Sequence, residues 1–374
     1  LNIIYKNVDW SINTKGLEGA VSFDFDKENN LYIAFKNNIK VINKENKEEI
    51  LVYDKTLNIY DIACYNNDII IATDNRVLLY DINTEQYREL INDLPNNGLN
   101  YKTNIILDEE YLYISNTNSG VVDENNKNED KASFEWEVTG IGYNNNYAFM
   151  PFGERSIEGQ KVKESVLSNA SILRYDLNSN EFITYATGIR NVEGLAVNSI
   201  GKLTAIVGGM EDSGVRAVKD DVDYIYDIKE RAWYGWPDFS GGDPITSPRF
   251  SDGTNKLSFV IANHPTEVTL GPRYQHDKVS ALNGLTIDYE GKCFPKDTVI
   301  FADNVENYIY VLTENDTSKA ILALDKESHI EKIKYNAANI YILDSKGGCL
   351  YKICGQVNTR IFNLPNVIWI FIII

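Results

Sequence analysis

One pattern recurs six times along this chain: a short apolar strand, a turn, and a second strand rich in β-branched and aromatic residues. Leu31-Tyr32-Ile33 leads to Ile39-Lys40-Val41-Ile42-Asn43, and Ile69-Ile70-Ile71 leads to Val77-Leu78-Leu79-Tyr80-Asp81. Leu112-Tyr113-Ile114 leads, after an insertion, to Ile172-Leu173-Arg174-Tyr175-Asp176. Leu203-Thr204-Ala205-Ile206 leads to Tyr224-Ile225-Tyr226-Asp227. Val299-Ile300-Phe301 leads to Tyr308-Ile309-Tyr310-Val311, and Ile340-Tyr341-Ile342 to Leu350-Tyr351-Lys352-Ile353. The compact units repeat at about 40 residues, the length of a four-stranded blade. One such sheet cannot bury both faces, so the units must stack around an axis.

The expectation is an all-β fold, a six-bladed β-propeller over residues 1–354, with a β-sandwich array as the alternative. Asn66-Asn67-Asp68, Asn178-Ser179-Asn180 and Lys346-Gly347-Gly348 supply turns. No segment reads as a long capped amphipathic helix. The stretch Asn2-Ile3-Ile4-Tyr5 is expected to pair into the last blade and close the ring. Two long loop insertions interrupt the spacing, at about 116–169 and 237–276. Propeller sites sit at the ends of the central channel, so such loops are expected to shape a pocket.

Hydrophobic residues make up 43% of the 374 and charged residues 24%, enough for a sizeable core. A net charge of −18 excludes a nucleic-acid binder, which needs a basic surface to displace counterions. It suits neutral or cationic ligands. Cys64, Cys293, Cys349 and Cys354 are too few for a disulfide scaffold. Cys349 and Cys354 could form a strand-end disulfide or remain free thiols; a zinc site lacks a second ligand pair. The chain starts at Leu1, and a leader removed before this point implies an extracytoplasmic or secreted protein. The segment 355–374 ends in the uncharged run Val367-Ile368-Trp369-Ile370-Phe371-Ile372-Ile373-Ile374, shorter than the roughly 20 residues of a membrane span. A truncated anchor, a sticky last strand and an artefact all remain open, and a membrane is a partner only in the first case.

Two motifs add chemistry. Gly188-Ile189-Arg190-Asn191-Val192-Glu193-Gly194-Leu195-Ala196 is followed by Tyr234-Gly235-Trp236-Pro237. In order and spacing they resemble the signature of the soluble glucose/sorbosone dehydrogenases. These are six-bladed propellers that use pyrroloquinoline quinone (PQQ) and calcium to oxidise sugars. The resemblance implies that Arg190 and Asn191 contact the cofactor, Arg through a planar cationic fork and Asn through a donor and an acceptor together. It implies metal-serving oxygens in the run from Gly208 and Gly209 to Glu211 and Asp212. Trp236 and Tyr101 are the candidate sugar-facing residues, and Tyr234-Gly235-Trp236-Pro237 otherwise reads as architecture.

The chain also departs from that pattern. The segment where the family carries its base, Leu99 to Tyr113, contains no histidine. Tyr101 is a poor base near neutral pH, and Lys102 could serve only if desolvated. The three histidines are His264, His276 and His329, and His276, ahead of Ala281-Leu282-Asn283-Gly284-Leu285, is the candidate pocket base. The family's later arginine is replaced within Asp303-Asn304-Val305-Glu306-Asn307, and its Pro after Gly209 is Met210. The expectation is a dehydrogenase-like propeller with a degenerate cofactor site that binds a sugar or polysaccharide. The alternative is an active PQQ- and calcium-dependent oxidoreductase. A lactonase-type calcium propeller ranks last, for want of evident carboxylates in the central channel.

Overall fold

A computed structural model describes residues 2–3, 8–95, 102–116, 132–143, 146–147, 156–213, 216–251, 253–254 and 256–355. The apolar tail beyond residue 355 and residue Tyr101 lie outside these.

Six antiparallel sheets of four or five strands carry the fold. Blade 1 runs from Ser22–Phe25 to Glu48–Tyr53, blade 2 from Ile59–Tyr65 to Gln86–Ile91, and blade 3 from Ile105–Asp108 to Glu181–Thr187. Blade 4 runs from Val192–Val197 to Tyr274–Gln275, and blade 5 from Leu282–Asp288 to Ser318–Ala323. Blade 6 holds Ile330–Asn336, Asn339–Asp344 and Cys349–Gly355. The expected six-bladed propeller is the fold, and the six strand pairs read from sequence are the two middle strands of each blade.

Ring closure differs from expectation. The eight-residue strand Val8–Lys15 completes blade 6 by pairing with Cys349–Gly355. The earlier Asn2–Ile3 instead adds a fifth strand to blade 5, against Ser318–Ala323. Eight residues can satisfy a whole edge; two can only cap one.

Middle strands are buried on both faces, as in Leu203–Val207, which is buried throughout. Outer strands face water, and the first four residues of Gln86–Ile91 are exposed. Aliphatic and aromatic side chains from neighbouring blades fill the space between sheets, as where Ile172 and Tyr185 of blade 3 meet Leu203 and Tyr224 of blade 4.

A second device ties the blades together. At each boundary a buried or half-buried polar side chain or a backbone pair bonds to the next blade. Asp24 accepts from Cys64 N–H at 2.8 Å, and Asp61 from Ile105 N–H at 2.9 Å. Asn104 donates to the Val192 carbonyl at 2.6 Å. Asp223 accepts from Ala281 and Leu282 N–H at 2.7 and 2.9 Å. Asn304 exchanges two bonds with Ile330, at 2.9 and 3.0 Å. Leu17 and Gly19 N–H close the ring onto Gly348 and Ser345 carbonyls, both at 3.0 Å. Buried backbone groups need such partners, and charged acceptors bind them most strongly.

The insertions span 117–170 in blade 3 and 229–273 in blade 4. Their described parts pack on each other. Trp136 and Val138 of the first meet Trp233, Phe239, Phe250 and Ile261 of the second. The buried Asp238 accepts from Arg216 at 3.2 Å, from Val260 and Ile261 N–H at 2.9 Å each, and contacts His264 Nε2 at 2.8 Å. His264 stacks on Trp233 with ring centroids 5.4 Å apart.

The cysteine pairing is a correction. Cys354 forms its disulfide with Cys293 of blade 5, not with Cys349, while Cys64 and Cys349 are free. Cys349 and Cys354 lie at opposite ends of one strand, so their side chains cannot meet.

Candidate functional site

All six inner strands begin around one mouth of the central channel. A cavity of about 440 Å³ opens there, lined from every blade by Val21, Tyr60, Lys102, Arg190, Asn191, Glu193, Asn283 and Glu331 among others. Its polar lining comes from the irregular starts of the inner strands. Glu193 and Glu331 are the unpaired residues of β-bulges at the start of the inner strands of blades 4 and 6, and Asn191 and His329 immediately precede those strands.

Arg190 donates from Nη1 to the Gly209 carbonyl at 2.7 Å. Burial pulls its guanidinium below the usual value, against the opposing pull of Glu211, Asp221 and Asp223. Asn191 is buried, and its Nδ2 donates to Glu193 Oε1 at 2.5 Å, while its Oδ1 has no partner among the described residues. Lys102 Nζ lies 3.7 Å from Glu331 Oε2 and 3.4 Å from Asn283 Oδ1. His329 Nε2 stands 3.4 Å from Glu331 Oε1, which also accepts from Ser345 Oγ at 3.0 Å. Asp223 accepts four backbone N–H bonds, from Gly209, Ser280, Ala281 and Leu282. Burial nevertheless holds its carboxyl above the usual carboxylate range.

Of the residues singled out from sequence, Arg190, Asn191, Gly208 and Gly209 meet at this mouth. Glu211 sits at the rim, accepting from Ser280 Oγ at 2.9 Å. Asp212 is turned to an exposed ion pair with Lys219 at 2.6 Å. Among the described residues no three His, Cys, Asp or Glu side chains form a group that could hold a metal.

Two candidates are elsewhere. His276 is buried between Tyr274 and Asp303, at 3.0 and 2.9 Å, beside a separate lateral depression between blades 4 and 5. It is not brought together with Arg190. Trp236 is buried in the core shared by the insertions and does not line the cavity. Gly235 there adopts φ +108°, and a Cβ would strike Phe239, so the motif serves the turn as its sequence suggests. No described residue of the first insertion lines the mouth, and the rest of that insertion lies outside the described residues.

Sequence reasoning missed Glu193, Glu331, His329 and Asn283. It also missed the channel carboxylates as a class, since Glu193, Glu331 and Asp223 surround the mouth. The signal was present as polar residues alternating at the start of strands, in Asn191-Val192-Glu193 and His329-Ile330-Glu331. Nothing local said which strands were innermost.

Burial raises the Glu193 carboxyl above the usual range, with Lys102 and the Asn191 bond opposing the shift. The folded protein therefore holds this proton more tightly than the unfolded chain. Stability falls as pH climbs from the ordinary carboxylate range through the folded-state value, because ionisation must then occur in a desolvated place. Glu193→Gln is expected to abolish that slope and to raise Tm at neutral pH. Thermal denaturation from about pH 4 to 8 reads this directly, and an unchanged or lowered Tm at neutral pH contradicts it.

No protein-family model and no curated protein sequence matches the chain. Solved structures do. The PQQ domain of a pyranose dehydrogenase from Coprinopsis cinerea superposes with a TM-score of 0.63 at 11% identity, covering 94% of this chain and 96% of that one. The soluble aldose sugar dehydrogenase of Escherichia coli gives 0.62 at 12%, covering 93% and 100%. The PQQ-bound aldose sugar dehydrogenase of Streptomyces coelicolor gives 0.59 at 15%, covering 93% and 98%. Among the described residues no helix is long and apolar enough to cross a membrane. This chain has the six-bladed propeller fold of the PQQ-dependent soluble sugar dehydrogenases, over nearly its whole length and theirs.

Proposed function

We propose that the chain is a sugar-dehydrogenase-fold propeller whose channel mouth binds a carbohydrate and has lost the quinone chemistry. The observation that carries this reading is the charge of the mouth. Three carboxylates, Glu193, Glu331 and Asp223, line it beside two cations, Arg190 and Lys102. PQQ is a tricarboxylate and needs the opposite balance. Arg190 is committed to the Gly209 carbonyl, one of the oxygens that the resemblance assigns to calcium, and Lys102 lies against Glu331. The charge balance therefore does not fit a tricarboxylate, and Arg190 occupies a carbonyl that the resemblance assigns to calcium.

A neutral polyol fits better. The cavity has the size of a small-ligand site, and Asn283, Asn304 and His329 add directional donors and acceptors. The Cys293–Cys354 disulfide supports an extracytoplasmic location, since cytosolic thiols are kept reduced.

Titration of the purified protein with PQQ and calcium is the test. Affinity is expected to be about a hundredfold or more weaker than that of an active soluble dehydrogenase measured beside it, since each lost charged contact costs about 1.5–3 kcal/mol. No aldose should turn over in a dye-linked assay, while a glycan array should give binding that Asn191→Ala weakens. Micromolar PQQ affinity with aldose turnover would establish the active dehydrogenase instead.

A further inference from the structure

Within that carbohydrate reading, we infer that the mouth selects an amine-bearing sugar, with the ligand's ammonium seated between Asn191 and Glu193. Asn191 lines the cavity at 4% exposure, and its Oδ1 is a buried acceptor without a partner among the described residues. The amide is not free to turn, because its Nδ2 is spent on Glu193 Oε1 at 2.5 Å. Evolving chains rarely leave such an acceptor bare, and a ligand donor is one way to satisfy it. Glu193 accepts a single hydrogen bond among the described residues, the one from Asn191. An acceptor without a donor therefore adjoins a carboxylate short of donors.

The fixed cations nearby do not meet this need. Arg190 points its Nη1 at Gly209, and Lys102, whose charge also reaches Glu193, has its Nζ nearest Asn283 and Glu331, at 3.4 and 3.7 Å. An ammonium carries three donors and no acceptor, so one group can serve Asn191 Oδ1 and Glu193 together. A hydroxyl brings one donor and no charge. A sugar acid brings a fourth carboxylate towards Glu193, Glu331 and Asp223 and is repelled. The remaining hydroxyls of an amino sugar would face Asn283 and Asn304 around the same cavity.

Isothermal titration of the full chain with glucosamine, glucose, N-acetylglucosamine and glucuronate at near-neutral pH tests this. Glucosamine is expected to bind about tenfold or more tighter than glucose, in line with the greater strength of charge-assisted bonds. N-acetylation should erase the gain, and glucuronate should bind worst. Glu193→Gln keeps the shape and the Asn191 bond and should cut the glucosamine-to-glucose ratio to near one without unfolding the protein. Glucose binding as tightly as glucosamine would overturn the amine preference and leave the carbohydrate reading intact. Failure of all four sugars would overturn both. A preference that survives in Glu193→Gln would remove the ammonium from this pair. Calcium chloride alone is the last arm, because a metal ion could use the same oxygens. Tight calcium binding that disappears in Glu193→Gln would replace the amine with a metal.

Discussion

Asp223→Ala is expected to lower the stability of the propeller by about 3–5 kcal/mol, the range seen when a buried charged partner is removed. The carboxylate of Asp223 is fully buried and accepts backbone N–H groups from Gly209 in its own blade and from Ser280, Ala281 and Leu282 at the start of blade 5. Removing it strands four N–H donors where water has little access, and each unsatisfied group costs about 1–3 kcal/mol before relaxation. Asp223→Asn retains a carbonyl acceptor but turns an NH₂ towards other donors, so it should cost less than Ala. Its carboxyl is already raised by burial, so a neutral replacement loses part of the interaction only. Chemical denaturation with an unchanged m-value reads the effect. Asp212→Ala, whose carboxylate pairs with Lys219 at an exposed surface, is the control and should change little. Equal losses in the two variants would refute the role given to Asp223 in joining blades 4 and 5.

The second large effect concerns the insertions. Asp238→Ala is expected to loosen the core shared by 132–141 and 229–273 by a similar amount, about 3–5 kcal/mol, while leaving the blades folded. Arg216 and Asp238 are both almost fully buried, so removal of the carboxylate leaves a desolvated guanidinium. Val260 and Ile261 N–H lose their acceptor at the same time, and His264 loses its partner. Trp136, Trp233 and Trp236 all lie in this core, three of the five tryptophans in the chain. Their emission should shift red, and limited proteolysis should cut first within 229–273. His264→Gln removes one contact and should give a much smaller shift. A variant whose fluorescence and cleavage match the parent would show that apolar packing alone holds the insertions.

Leu31–Phe35, Leu203–Val207 and their counterparts are buried on both faces, so their sequences are almost continuously apolar and stand out locally. The inner strand Ile330–Asn336 mixes Glu331, Lys332 and Lys334 with apolar residues because one face borders the channel. The outer strand Gln86–Ile91 is largely exposed and reads as polar surface. Both kinds escape a search for apolar runs. The same difference explains why Arg190 and Asn191 were found, by motif, while Glu193 beside them and Glu331 across the mouth were not.

The sequence by itself determined the repeat, the number of blades and the presence of two long insertions, because these depend on local side-chain periodicity. Tertiary structure alone decided which polar residues meet. Lys332 donates to Ser22 across 310 positions and to Asp61 across 271, and Lys102 reaches Asn283 across 181. It chose Cys293 as the partner of Cys354 across 61 positions, and Val8–Lys15 as the strand that closes the ring. It also withdrew His276 and Trp236 from the mouth and set His329 there. Closing a ring brings together the starts of six strands that are far apart in the chain. The charge of the site is the sum over all six, and no local window contains that sum.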